Sequence, residues 1–317
     1  MRVVVTGAAG FVGRELVRRL VQGEPTLPLT ALVAMDQRLD PSRDPWLADP
    51  RVQGLEGDFA DPALLDRAFD PLPQIVIHLA SVPGSLAEHE PELGLRVNLH
   101  GAFSFLLRLA AAGQRGVVPR VVFASSVAVY GPLGDQPVDE SRAPCPELSY
   151  GAHKLMTEIL LADLSRRGAL DAISLRLPGI VARPPSPTGH GSAFMSDLFH
   201  AVAAGAPSVC PVGADATCWW MSLATCIDNF LHAATLPATT LPTRRVVQLP
   251  VLSARVRDVV AAIESVHVSK ARLHYAPDPA IERHFGRYPS LLTPAARALG
   301  FVDDATLVDL ARRARAM

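Results

Sequence analysis

Tyr150 and Lys154 lie four positions apart in "SYGAHKLMTE", one turn if the segment is helical, so both side chains would point the same way. An ammonium held beside a phenol favours the phenolate and draws its pKa from about 10 toward the working pH. Tyr150 would then serve as a general base. Upstream, "FASSVAVYG" closes a β-branched run and brings Ser126 to its end, where a hydroxyl could orient a substrate oxygen. Each residue alone has a plainer use: Tyr and Lys at this spacing decorate many helix surfaces, and Ser125 or Ser126 could simply hydrogen-bond in a loop.

A second signal gives the trio weight. In "VVVTGAAGFVGRELVRRL" the residues Gly7, Gly10 and Gly13 separate a strand-like run from a helix-like one. Glycine there permits a tight turn, close backbone approach to a pyrophosphate, and packing of helix on strand, while the helix N-terminus favours an anion. Asp36 follows Gly13 by twenty-three positions, at the end of the second strand in "VAMDQR". A carboxylate at that place accepts hydrogen bonds from an adenosine ribose and repels an added phosphate, which points to NAD rather than NADP. Arg38 is the one residue nearby that would attract such a phosphate. Asp58 and Phe59 in "EGDFAD" would flank the adenine, or Asp58 could cap the helix beginning near Pro62.

These residues need a scaffold. β-branched runs at 2–6, 29–35, 75–78, 120–124 and 172–176 alternate with segments of helical apolar spacing at 11–22, 62–69, 93–112 and 150–167. Such alternation predicts βαβ units, hence an α/β fold with a doubly wound parallel sheet. After Leu177 the stretch "PGIVARPPSPTGHG" breaks regular structure. We expect residues 1–177 to form the dinucleotide-binding domain, with 223–250 returning to it as a helix and an extra strand. Residues 178–222 and 251–317 would form a smaller substrate lobe.

At 317 residues and 49% hydrophobic, the chain can bury a large core. A net charge of -1, with the charges dispersed, offers no footprint for nucleic acid or anionic membrane. Strand-like Val3–Val5 follows Met1 and Arg2 directly, leaving no room for a signal peptide, and the longest apolar stretch is broken by Arg108. Four cysteines lack metal-ligand or disulfide patterning, and the histidines form no HExxH pair. A soluble, cytoplasmic, metal-free protein is expected.

Taken in order, "TGAAGFVG", "GDFAD", "HLAS", "RVNLHG", "FASSVAVYG", "SYGAHK" and "LRLPGIVARP" make the chain similar to the extended short-chain dehydrogenase/reductases across nearly its whole length. The resemblance implies a Rossmann-type fold and NAD as cofactor. Gly7, Gly10, Phe11, Val12, Gly13, Asp36, Asp58, Phe59, Leu79, Ala80, Ser81 and Asn98 would contact or support it, with Pro178, Ile180 and Val181 beside the nicotinamide. Ser126, Tyr150 and Lys154 would be catalytic. Ser81, Ser126, Tyr150, Ser192 and Trp219 would meet a small-molecule substrate. The resemblance also implies a homodimer joined through a four-helix bundle.

Within the family, "SSVAVYG", "SRRG", "LRLPGIV" and "VCPV" with a following Trp look most like a branch that oxidises C2 of a four-carbon sugar acid. That branch leads us to expect a cation two positions before the Trp, where this chain has Thr217. If the cation binds a carboxylate, Arg183 or Arg287 could replace it. Trp219 and Trp220 could line a pocket or pack in a core; Ser192 could touch substrate or cap a helix; His78 reads more readily as a near-core histidine than as a catalyst. The same motifs would serve a nucleotide-sugar epimerase that keeps NAD through turnover, or a non-catalytic dinucleotide sensor. A dehydratase is disfavoured, because Val127 and Ala128 occupy the places where those relatives carry an acidic pair.

Overall fold

A computed structural model describes residues 1–113, 118–185 and 191–314; positions 186–190 of the Pro/Gly-rich stretch expected as a loop lie outside them. The main sheet has seven parallel strands: β1 (Arg2–Thr6), β2 (Ala31–Asp36), β3 (Val52–Glu56), β4 (Ile75–His78), β5 (Arg120–Ser126), β6 (Asp171–Leu177) and, far along the chain, Val246–Gln248. Their spatial order, starting from Val246–Gln248, is β6, β5, β4, β1, β2, β3. Strands are added outward from β1 to one side and then from β4 to the other, so the order switches between β1 and β4, and the crevice where ligands bind in such sheets opens there at the carboxyl ends.

Apolar layers cover both faces. On one, α1 (Phe11–Gly23) and the helix Leu223–Thr235 bury Leu16, Leu20, Ile227 and Phe230 against β1 and β5. The other is covered by α2 (Ala102–Gly113) and α3 (Ser149–Arg166), which bury Phe105, Leu109, Leu161 and Leu164. A smaller lobe builds a three-stranded sheet from Gly179–Val181, Thr217–Ser222 and Leu252–Arg255, packed on helices Phe194–Ala203 and Val256–His267. The two layers meet at Asp304, which is buried and accepts from Ser222 N–H, Ser222 Oγ–H and Thr225 Oγ1–H at 2.8, 2.5 and 2.6 Å. Those donors sit at the N-terminus of the returning helix, where a negative charge is favoured.

Strand β3 and the segment 93–112 differ from the sequence expectation. Strand β3 was not expected, because "VQGLE" is a largely exposed edge with no β-branched run. The segment expected as one helix over 93–112 instead contains a π-helical stretch, Leu95–Gly101, before α2. Asn98 lies in that stretch.

The inner face of α3 carries charge. Glu158 and Arg176 of β6 are both buried and pair at 2.7 and 3.0 Å, and the Ser125 hydroxyl donates to Glu158 at 2.5 Å. A buried pair of this kind clamps helix to sheet, and removing one partner strands the other charge. Glu158→Ala is therefore expected to cost about 3–5 kcal/mol, read from urea unfolding. The double variant E158M/R176M, lacking both charges, should lose less than either single substitution.

Candidate active site

The glycine turn is built by contact. Gly7 has φ of 71° and stands so close to the chain after β4 that a Cβ would lie 2.9 Å from the Ala80 nitrogen. At Gly13 a Cβ would lie 2.0 Å from the Gly7 carbonyl oxygen. Only glycine lets α1 start this tightly against β1. Asp36 closes β2 beside the turn and accepts from Ala9 N–H at 2.8 Å and Gln37 N–H at 2.7 Å. Burial pushes its carboxyl above the usual range, and these bonds oppose the shift. A side-chain-free cradle at a helix start, with a carboxylate at the next strand end, fits the pyrophosphate and ribose of a dinucleotide.

A cavity of about 690 Å³ opens at the carboxyl ends of β1, β4, β5 and β6, within the size range of small-molecule sites. Gly7, Gly10, Phe11, Val12, Gly13 and Leu79 line one side. Ser81, Ser126, Tyr150, Lys154, Pro178, Ile180 and Ser192 line the rest. Ser126 ends β5 and its Oγ accepts from Ala128 N–H at 3.1 Å. Tyr150 is brought toward it by Gly151, where a Cβ would meet the Ala128 oxygen at 2.2 Å. The glycine in "SYGAHK" is thus a determinant that the sequence reading passed over.

Lys154 is 3% exposed, donates to the Ala124 carbonyl at 2.8 Å, and lies 5.4 Å from the Tyr150 ring centroid. Burial pushes its ammonium down to about 7, with Glu158 pulling the other way. The Tyr150 phenol is pushed up by burial; the Ser81 hydroxyl and the positive charge of Arg183 pull it down. Arg183, another lining residue, adds a positive charge that the sequence reading did not assign to the phenol, while the Lys154 ammonium, which spends one of its three N–H groups on Ala124, stays beside the ring.

Other expected residues fall elsewhere. Asn98 does not line the cavity: its Oδ1 accepts from Val82 N–H at 2.8 Å and its Nδ2 donates to Val82 O at 3.0 Å. It shapes the segment carrying Ala80 and Ser81. Phe59 is buried edge-on against His78 and Phe105, and Asp58 accepts from Ala60 N–H at 2.9 Å. Val181 is buried in the smaller lobe's core. Trp219 is fully buried, its indole N–H donating to Pro289 O at 2.6 Å with Tyr288 4.9 Å away, so it is a packing residue behind the wall. His78 is a core residue, bonded to Thr6 Oγ1 at 2.7 Å and pushed down to about 3 by burial. Unforeseen lining residues come from two short helices, Gly84–His89 and Pro279–Phe285, which supply Glu88, Ile281 and Phe285. Asp278 ahead of Pro279, a capping residue before a first-turn proline, is the sequence signal that marks the second of these helices.

A doubly wound sheet with a glycine cradle, a strand-end carboxylate and a Ser–Tyr–Lys cluster in one crevice defines a dinucleotide-dependent enzyme. Residues 3–234 match the model of the NAD dependent epimerase/dehydratase family, and the chain belongs to that family. Its cofactor is NAD. It is 36% identical to a D-erythronate dehydrogenase of Cupriavidus necator, covering 98% of this chain and 97% of that one. A D-erythronate dehydrogenase of Haemophilus influenzae is 31% identical, with 96% and 95% covered. Among solved structures, a nucleoside-diphosphate-sugar epimerase from Agrobacterium tumefaciens superposes with a TM-score of 0.88 at 29% identity, covering 98% and 92%.

The buried lysine makes a stability prediction. Its folded value near 7 lies below the unfolded 10.5, so above neutral pH the unfolded chain binds the extra proton and stability rises with pH. Urea unfolding of NAD-free protein should show this rise between about pH 7 and pH 9, and Lys154→Met should flatten it.

Proposed function

We propose that the protein oxidises a secondary hydroxyl of a small sugar acid with NAD, the first candidate being D-erythronate, whose C2 hydroxyl would become a 2-oxo group. The observation that carries the chemistry is the convergence of Ser126, Tyr150 and Lys154 on the cavity that the glycine turn borders. The names of the two relatives matched over nearly their full length support the substrate class. NAD, when bound, supplies the hydride acceptor.

The chain's own residues handle the proton and the orientation. Ser126 and Ser81 hold the reacting oxygen; the Tyr150 phenolate takes its proton as the carbinol C–H bond breaks; Lys154 supports the phenolate and would hold the cofactor ribose. The cofactor would rest on residues 1–177 with 223–250, held by Gly7, Gly10, Gly13 and Asp36, and the substrate on the lobe of 178–222 and 251–317. An epimerase reading has the Agrobacterium tumefaciens relative in its favour. Net reduction of added NAD by D-erythronate supports the dehydrogenase, whereas interconversion of UDP-sugars without net reduction supports the epimerase.

A homodimer suits the exposed apolar residues of neighbouring helices. Leu107 of α2 and Ile159 of α3 are 49% and 62% exposed, with Leu95 and Met156 also on the surface. Pairing this two-helix face with a second copy would form a four-helix bundle and cover them. Among the described residues no helix is long and apolar enough to cross a membrane. The free thiols Cys145, Cys210, Cys218 and Cys226 suit a reducing cytoplasm.

Tyr150→Phe should lower kcat/KM by about 10²–10⁴-fold while NAD affinity, read by calorimetry, stays unchanged. Oxidation should accelerate with rising pH as the phenol ionises. Ser81→Ala removes a group favouring the phenolate, so the kcat/KM profile should move to higher pH. Ile159→Glu should shift the species seen by light scattering from dimer to monomer.

A further inference from the structure

A sugar acid brings a carboxylate into the crevice, and burying that charge requires a cation. Three positions were open from the sequence: 217, Arg183 and Arg287. Thr217 and Arg287 line a separate depression of about 370 Å³ together with Asp135, Asp215 and Glu282. That surface already carries three carboxylates, and neither residue lines the main cavity. Position 217 and Arg287 thus open onto this depression and not onto the crevice.

The charged groups lining the cavity are Glu88, Lys154 and Arg183, with His89 and His284 as titratable neighbours. Glu88 accepts from Ser149 N–H at 2.5 Å. Lys154 donates to Ala124 O at 2.8 Å. The ion pairs among the described residues include none to Arg183. Its backbone is clamped on both sides by the helix Phe194–Ala203: Arg183 N–H donates to Ser196 Oγ at 2.9 Å, and Arg183 O meets His200 Nε2 at 2.7 Å. Arg183 thus lines the crevice with a fixed backbone and, among the described residues, no carboxylate partner.

We propose that Arg183 anchors the substrate carboxylate and selects acids whose reactive hydroxyl sits on the carbon next to it. In a 2-hydroxy acid the carboxyl carbon is bonded directly to the carbinol carbon, so the anchor must act beside the group that takes the hydroxyl proton. Arg183 and Tyr150 line the same cavity, and the positive charge of Arg183 acts on the phenol. A planar two-pronged donor grips a carboxylate and offers nothing comparable to a neutral amide or polyol. This inference rests on the sugar-acid reading above.

The test uses full-length wild type, R183Q and R183K, each with NAD. D-Erythronate and D-erythronamide, its neutral analogue, are compared by thermal shift and by kcat and KM, and NAD affinity is read by calorimetry. Wild type should be stabilised by the acid and not by the amide. In R183Q the KM for the acid should rise on the order of 10- to 100-fold, the acid-over-amide preference should vanish, and NAD affinity should persist; R183K should fall between. Undiminished acid preference in R183Q overturns the anchor. Should R183Q fail to fold, R183K decides: a several-fold loss of acid affinity supports the proposal, and none overturns it. If wild type leaves D-erythronate untouched, the substrate reading fails separately, and thermal shift with glycerate, tartrate and malate tests the anchor. Stabilisation of wild type above R183Q supports it; no stabilisation of wild type by any of these acids overturns it.

Discussion

A buried ammonium against the edge of β5 is the constraint on which the site depends. Lys154 donates to Ala124 O, which fixes one face of α3 against the strand that ends in Ser126. One turn further, Glu158 supplies the opposite charge, and its two oxygens are taken by Arg176 and Ser125. Tyr150, Lys154 and Glu158 recur every four residues and form a polar seam on the sheet-facing side of the helix. Burying such a seam is costly, and it holds because each charge reaches a partner. The phenol at the open end inherits its position from the chain of bonds beneath it.

Backbone proximity does the rest. Gly7 and Gly13 bring α1 onto β1 and the segment after β4, while Gly151 brings α3 onto the turn after Ser126. At both places the decisive group is an absent side chain. A methyl at Gly13 or Gly151 would have to displace a carbonyl oxygen, and the surrounding backbone is held by neighbouring strands. The glycine cradle and the Tyr150–Lys154 pair are therefore two uses of one device, a helix start pressed onto a strand end.

Period and punctuation made most of the sheet legible from the residues alone. Strands β1 and β4 coincide with their β-branched runs, and the helix Leu223–Thr235 lies within the segment 223–250. Strand β3 escaped notice because it is an exposed edge with Gly54 at its centre. The π-helical turn at Leu95–Gly101 leaves no trace in apolar spacing, which is shared by neighbouring α-helix. Side-chain direction was hardest to read. Phe59, Asn98 and Trp219 lie near the crevice in sequence order, yet their side chains turn toward core or backbone partners. A motif marks which segment approaches a site; the identity of the wall depends on packing from elements distant in sequence.

The two sides of the crevice are therefore built on different principles. The dinucleotide side is lined largely by glycines and apolar residues at strand ends, where backbone N–H groups and a helix N-terminus serve any anionic pyrophosphate. The opposite side is lined by side chains from the short helices Gly84–His89 and Pro279–Phe285 and by Arg183, whose backbone is pinned to the helix Phe194–Ala203. Sheet geometry dictates the first set and tolerates little variation. The second draws on both lobes, with the helix Gly84–His89 from the segment after β4 and Arg183 with the helix Pro279–Phe285 from the smaller lobe. The wall opposite the glycine turn thus depends on side chains from elements distant in sequence, and sheet geometry alone does not prescribe it.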